Sequence, residues 1–115
     1  MCPSDESELT VRLAKPDDCV EFFYWANDPA VREQSLSTST IQWLDHKKWF
    51  FEKISSISSE MYVMEADGLP VGQVRFEKSA AVAEINYSLD KIVRNRRWAF
   101  VMLEMALKMF GQKCS

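Results

Sequence analysis

The sequence predicts an α+β domain, an antiparallel sheet of about four strands packed with helices, and three observations carry that reading. Runs with the alternation or apolar content of strands occur at 9–14, 61–66, 71–76 and 83–89. Asp67-Gly68, followed by Leu69-Pro70, is a turn signal that joins the second run to the third as a hairpin. Apolar residues recur at helical spacing between the first and second runs and again after the fourth.

In chain order, residues 1–8 are polar and are expected to be a disordered terminus, with one domain over 9–115. After the first strand, Pro16 suits the first position of a helix, and Asp17 and Asp18 complement its dipole. Cys19, Val20, Phe23 and Ala26 give that helix a core face, and Asn27-Asp28-Pro29 ends it. A short helical piece is expected over 30–34. Ser39 and Thr40 offer cap hydroxyls ahead of a longer helix with an apolar stripe of Trp43, Leu44, Phe50, Phe51 and Ile54. Within it the single histidine, His46, is expected on the helix surface. The hairpin and a further turn near 78–80 lead to the strand at 83–89.

Bulk properties narrow the function classes. A length of 115 residues with 47% hydrophobic and 27% charged residues suits one soluble core. The net charge of −3 gives no general attraction to nucleic acid or anionic membrane, so neither partner is expected. No apolar run is long enough to span a bilayer and no secretion signal opens the chain, which makes the cytoplasm the expected compartment. Cys2, Cys19 and Cys114 are too few and too scattered for a disulfide framework or a zinc site, and no metal is expected.

The chemistry concentrates where the last strand runs through Val93-Arg-Asn-Arg-Arg-Trp-Ala99 into an apolar helix. The first N–H groups of a helix lack intrahelical partners and, with the dipole, attract an anion. Arg94, Arg96 and Arg97 add three positive charges at an end of the dipole that disfavours them, which points to an anionic partner.

This strand, turn and helix resemble the acyl-CoA-binding segment of the GCN5-related N-acetyltransferases, in which an Arg/Gln-x-x-Gly-x-Gly/Ala loop wraps the pyrophosphate of coenzyme A. The first position falls on Arg94 and the final small residue on Ala99. The central glycine position carries Arg97, where a side chain either crowds the pyrophosphate seat or swings outward and adds a charge. The element order over about 9–110 is also the front half of that fold. Trp25-Ala-Asn-Asp28, Arg32 and the His46-x-x-Trp49-Phe50 stretch resemble the branch that acetylates amino-sugar nucleotides or ribosomal-protein N-termini.

The resemblance implies acetyl-CoA as co-substrate and a primary amine, on a small molecule or peptide, as acceptor. Cofactor contacts are expected from Leu89, Arg94, Asn95, Arg96, Arg97, Trp98 and Ala99, with a backbone N–H near Tyr87 for the thioester oxygen. Acyl transfer to an amine also needs a base. Glu84, which shares a strand face with Asn86 and Ser88, is the candidate. Trp25, Asn27, Asp28 and Arg32 are read either as an acceptor rim or as a packed indole with a helix-ending turn.

Family members carry a further strand beyond the long helix, whereas this sequence reaches Ser115 without one, so a C-terminally truncated half-fold is expected. The last helix is apolar nearly all round and the strand at 83–89 would form an open edge, which together predict self-association. Two further classes stay open: a non-catalytic module for coenzyme A or a nucleotide, and a domain that acts only by associating.

Overall fold

Four strands form one antiparallel sheet in chain order, β1 (Leu9–Leu13), β2 (Ser59–Ala66), β3 (Leu69–Ser79) and β4 (Val82–Leu89). The computed structural model describes residues 7–33, 39–79, 82–94 and 97–114. Three helices lie between β1 and β2: α1 (Cys19–Ala26), entered through a 3₁₀ turn at Pro16–Asp18, then α2 (Pro29–Glu33) and α3 (Trp43–Ile54). The chain ends in α4 (Trp98–Cys114), reached from β4 through a second 3₁₀ turn at Lys91–Val93. The predicted class and element order are those observed, with the second 3₁₀ turn an addition.

The hairpin forms at Asp67-Gly68, where both residues have positive φ, 52° and 85°. That is the requirement of a two-residue turn whose twist matches its strands. Beyond it, Met64 pairs with Gly72 while Glu65 pairs with Pro70, so Val71 is left over as a bulge. The Val71 carbonyl is thereby available to accept the Asp90 N–H at 2.7 Å, which fixes the chain where β4 ends.

Helices cover both faces of the sheet. One buried cluster joins Cys19, Phe22 and Trp25 of α1 and Phe50 of α3 to Met61 and Val63. On the other face Trp98, Met102 and Ala106, spaced four apart along α4, pack on Tyr62, Met64, Val74 and Phe76. The unbroken apolar run Met61-Tyr-Val-Met64 follows from this, since a strand covered on both sides alternates no longer.

Expectations about the faces of α1 and α3 and about the α3 cap are corrected. The core face of α1 is Cys19, Phe22 and Trp25; Val20 is exposed, and Phe23 turns toward α3, 5.2 Å from the Trp43 ring and 5.3 Å from the His46 ring. In α3, Leu44 is 77% exposed while His46, expected on the surface, is 2% exposed. Its Nε2 donates to the Cys19 carbonyl at 2.9 Å, a bond that only the packing of α1 on α3 makes available. The α3 cap is also different: Gln42 stands at the N-cap without a side-chain bond, and Ser39 and Thr40 lie upstream. Asn27 holds that segment instead, donating to the Ile41 carbonyl at 3.0 Å and accepting the Ile41 N–H at 2.6 Å.

Candidate functional site

Two clefts meet on β4. The first, of about 430 Å³, opens between the helical layer and the sheet, with Trp49 and His46 of α3 on one side and Gln73 and Arg75 of β3 on the other. The second, of about 560 Å³, follows the outer side of β4 from Ile85 to Leu89 and reaches Arg94 after the 3₁₀ turn and Ala99 in the first turn of α4. Val31, Asn86, Tyr87 and Ser88 line both. Because β4 is an edge strand, its outer backbone groups face the second cleft with no strand partner among the described residues.

The junction is braced by polar contacts from the helical layer. Trp25 is buried and its Nε1–H donates to Asp90 Oδ2 at 3.0 Å. Asp90 in turn accepts the Ile92 N–H through Oδ1 at 3.1 Å, the Asx geometry that starts the 3₁₀ turn, and Val93 drops into the core behind it. One helical turn after Trp25, Asp28 accepts from Arg94 Nη1 at 3.1 Å and from the Ala30 N–H at 3.0 Å, capping α2. Arg94 Nη2 donates to the Leu89 carbonyl at 3.0 Å. Burial would raise the Asp28 carboxyl, but the Arg94 bond, the Ala30 N–H and the positive charges of Arg94 and Lys91 outweigh it and hold it below its ordinary value.

The structure locates the residues singled out from sequence, except Asn95 and Arg96. Tyr87 and Leu89 lie on β4, Tyr87 half exposed at the junction of the clefts and Leu89 with its side chain buried against α4. Arg94 and Ala99 line the second cleft, the guanidinium bonded as above. Trp98 is buried in the α4 core cluster. Arg97 is exposed and is not among the residues of either cleft. Asn95 and Arg96 lie outside the described residues. Glu84 sits opposite Glu77 in the β3–β4 register and lines neither cleft. Of the four rim residues, Trp25 and Arg32 line the first cleft, whereas Asn27 and Asp28 make the backbone and Arg94 contacts given above.

Gln73, Arg75, Asp90 and Ser88 were not singled out for roles of their own. Ser88 Oγ accepts from Gln73 Nε2 at 3.0 Å across the paired strands. The signal for Gln73 and Arg75 in the sequence is the stretch Val71-Gly-Gln-Val-Arg-Phe76, where two polar residues alternate in a strand otherwise apolar enough for burial on both sides. Asp90, directly after a strand, carried the Asx-turn signal.

No family model matches the chain, and no curated protein matches it in sequence. Solved structures do match it in shape. Spermidine N-acetyltransferase from Vibrio cholerae, in complex with CoA and spermine, superposes with a TM-score of 0.75 at 14% identity, over 87% of this chain and 62% of that one. RimL, a ribosomal-protein alpha-N-acetyltransferase in complex with coenzyme A, gives 0.74 at 16% identity, over 97% and 68%. An acetyltransferase of the GNAT family from Streptococcus pneumoniae gives 0.62 at 18% identity, over 88% and 66%. The chain thus spans about two thirds of the length of these proteins. At such low identity the likeness establishes architecture, and the architecture is that of the GCN5-related N-acetyltransferases.

Proposed function

We propose that this chain is an acetyl-CoA-dependent N-acetyltransferase fold unit that moves an acetyl group to a primary amine, on an amino-sugar nucleotide or a protein N-terminus. The observation that carries the reading is the meeting of two clefts at Asn86, Tyr87 and Ser88: a transferase for two substrates needs two approaches to one point. The acyl donor belongs in the second cleft. An edge strand can pair with an extended chain bearing amide groups, and the cleft ends at a helix N-terminus suited to phosphate. Acetyl-CoA supplies the acetyl group there as a thioester.

The residues divide the work as follows. Backbone groups near Leu89 pair with the pantetheine arm, and the first turn of α4 at Trp98 and Ala99 faces the pyrophosphate, with Arg97 beside it. Arg94 keeps strand end and helix start together. The Tyr87 N–H donates to the thioester oxygen as the amine nitrogen forms its bond to carbon and the carbon–sulfur bond breaks. The proton lost by the amine passes to Glu84 through water, since Glu84 lies on the cleft-facing side of β4 but outside the clefts, and the thiolate takes a proton from solvent.

Self-association is part of the proposal. Phe100 and Leu107 on the outer face of α4, and Val82 at the start of β4, are exposed large apolar side chains. A second copy of the chain is their proposed cover.

Calorimetry with acetyl-CoA tests the reading, with the melting temperature followed on the same sample and Arg97→Gly measured beside the parent. Binding with a matching rise in melting temperature is expected. Binding only by Arg97→Gly means that the cradle persists and Arg97 obstructs it. Absence of binding by both refutes the reading.

A further inference from the structure

The β3 wall of the first cleft holds two polar side chains whose hydrogen-bonding capacity is only partly used. Gln73 is 6% exposed; its Nε2 is bonded to Ser88, and its buried Oε1 has no partner. Two residues on, and therefore on the same face of the strand, Arg75 lays its guanidinium 4.9 Å from the centre of the Trp49 ring. Its side chain is 18% exposed, and it makes no hydrogen bond among the described residues. Glu77 Oε1 approaches Arg75 Nε at 3.5 Å, but that oxygen also pairs with Lys53. Burial pulls the guanidinium below its ordinary pKa, against the opposing charges of Glu77 and Glu84.

A guanidinium carries five donors, and leaving its buried Nε with only the long approach of Glu77 is unfavourable unless a further partner arrives. The Trp49 face fixes its position without occupying those donors. The remaining charges of the cleft lining are Arg32 and, exposed at the rim, Asp45, the sole carboxylate among the lining residues. A buried neutral His46 adds none, so within the lining two guanidiniums stand against one carboxylate, with Glu77 behind Arg75 outside the cleft.

We propose that this cleft takes an amine that also bears an oxyanion, a carboxylate or a phosphate, held by Arg75, while an N–H or O–H of the same molecule donates to Gln73 Oε1. This rests on the acetyltransferase reading for the amine and on the cleft alone for the oxyanion. Two arginines against one carboxylate make the cleft unsuited to a polyamine, in contrast to the acceptor named for the Vibrio cholerae enzyme.

Matched pairs of probes test it by calorimetry: β-alanine against β-alaninamide, glucosamine 6-phosphate against glucosamine, and spermidine alone. At least one anionic member is expected to bind roughly 10- to 100-fold more tightly than its neutral partner. Which pair discriminates tells carboxylate from phosphate. In Arg75→Gln that difference should vanish, and in Arg75→Lys, which keeps the charge over Trp49, part of it should remain. The parent protein decides the matter alone if Arg75→Gln does not fold. Equal binding within both pairs, tighter binding of spermidine, or no binding of any probe overturns the proposal. Acetyl-CoA titrated separately keeps the two ideas apart. If it binds while no pair discriminates, only the oxyanion site falls; discrimination without acetyl-CoA binding leaves the site standing and removes the acetyltransferase reading.

Discussion

Asp28 and Arg94 are 66 residues apart in sequence, and their side chains meet at 3.1 Å beside the second cleft, which Arg94 lines. The pair ties the cap of α2 to the turn that launches α4, and Trp25 with Asp90 repeats the tie one helical turn earlier. The helical layer and the strand-to-helix turn are therefore one braced unit.

Breaking that brace should cost stability in a coupled way. A double-mutant cycle of Asp28→Ala and Arg94→Ala by urea denaturation is expected to give a coupling of about 1 kcal/mol, at the upper end for ion pairs with partial exposure. A coupling indistinguishable from zero would mean the contact is incidental.

Gly72 lets α4 close on the sheet. A Cβ there would lie 2.9 Å from Leu89 Cδ2 and Met102 Sδ and 3.0 Å from the Ser88 carbonyl oxygen, which is backbone and cannot rotate away. Gly72→Ala should lose roughly 1–3 kcal/mol. Unchanged stability would contradict the close approach of α4 to β3 and β4.

His46 and Asp18 give two separable responses to acid, beside those of the lowered Asp28 and Glu77 carboxyls. Burial lowers the His46 pKa, and the bond to the Cys19 carbonyl opposes it only in part. The unfolded chain therefore binds a proton at His46 more readily than the folded one, and stability should fall as pH drops below about 6.5. His46→Gln should flatten that window. Asp18 behaves differently: burial raises its carboxyl, but bonds from Arg12 at 2.8 and 2.9 Å and from the Lys15 N–H at 2.7 Å outweigh this and lower it. Its contribution is present above about pH 4 and lost as pH falls through the lowered value, so Asp18→Asn should weaken the protein at neutral pH and blunt the acid transition. Urea midpoints recorded from pH 3 to 8 would show both effects.

The outer face of α4 offers a test of association. Phe100 is 71% exposed, and Phe100→Glu should shift the mass measured by light scattering toward the monomer without lowering the melting temperature of the monomer. A parent protein that is monomeric at high concentration would remove the idea.

Local pattern was enough for the elements themselves. The strand runs, the Asp67-Gly68 turn and the helical spacing of α4 are short-range signals, because side-chain period and turn dihedrals are set within a few residues. The Arg94 and Ala99 spacing, with the element order, likewise pointed to the acetyltransferase fold. Helix faces were less legible: α1 and α3 are apolar on several sides, so periodicity alone could not say that Phe22 and His46 turn inward while Val20 and Leu44 face out. That choice depends on which neighbour each side meets.

The sequence by itself determined the class of the fold and the basic turn, since both are written in local periodicity and composition. Only tertiary structure decided what the charges do. Arg94 finds Asp28 across 66 residues, and Arg75 finds the face of Trp49, because the sheet and the helical layer bring them together. A charge takes its role from the partners and the burial around it, and those exist only once the chain has folded.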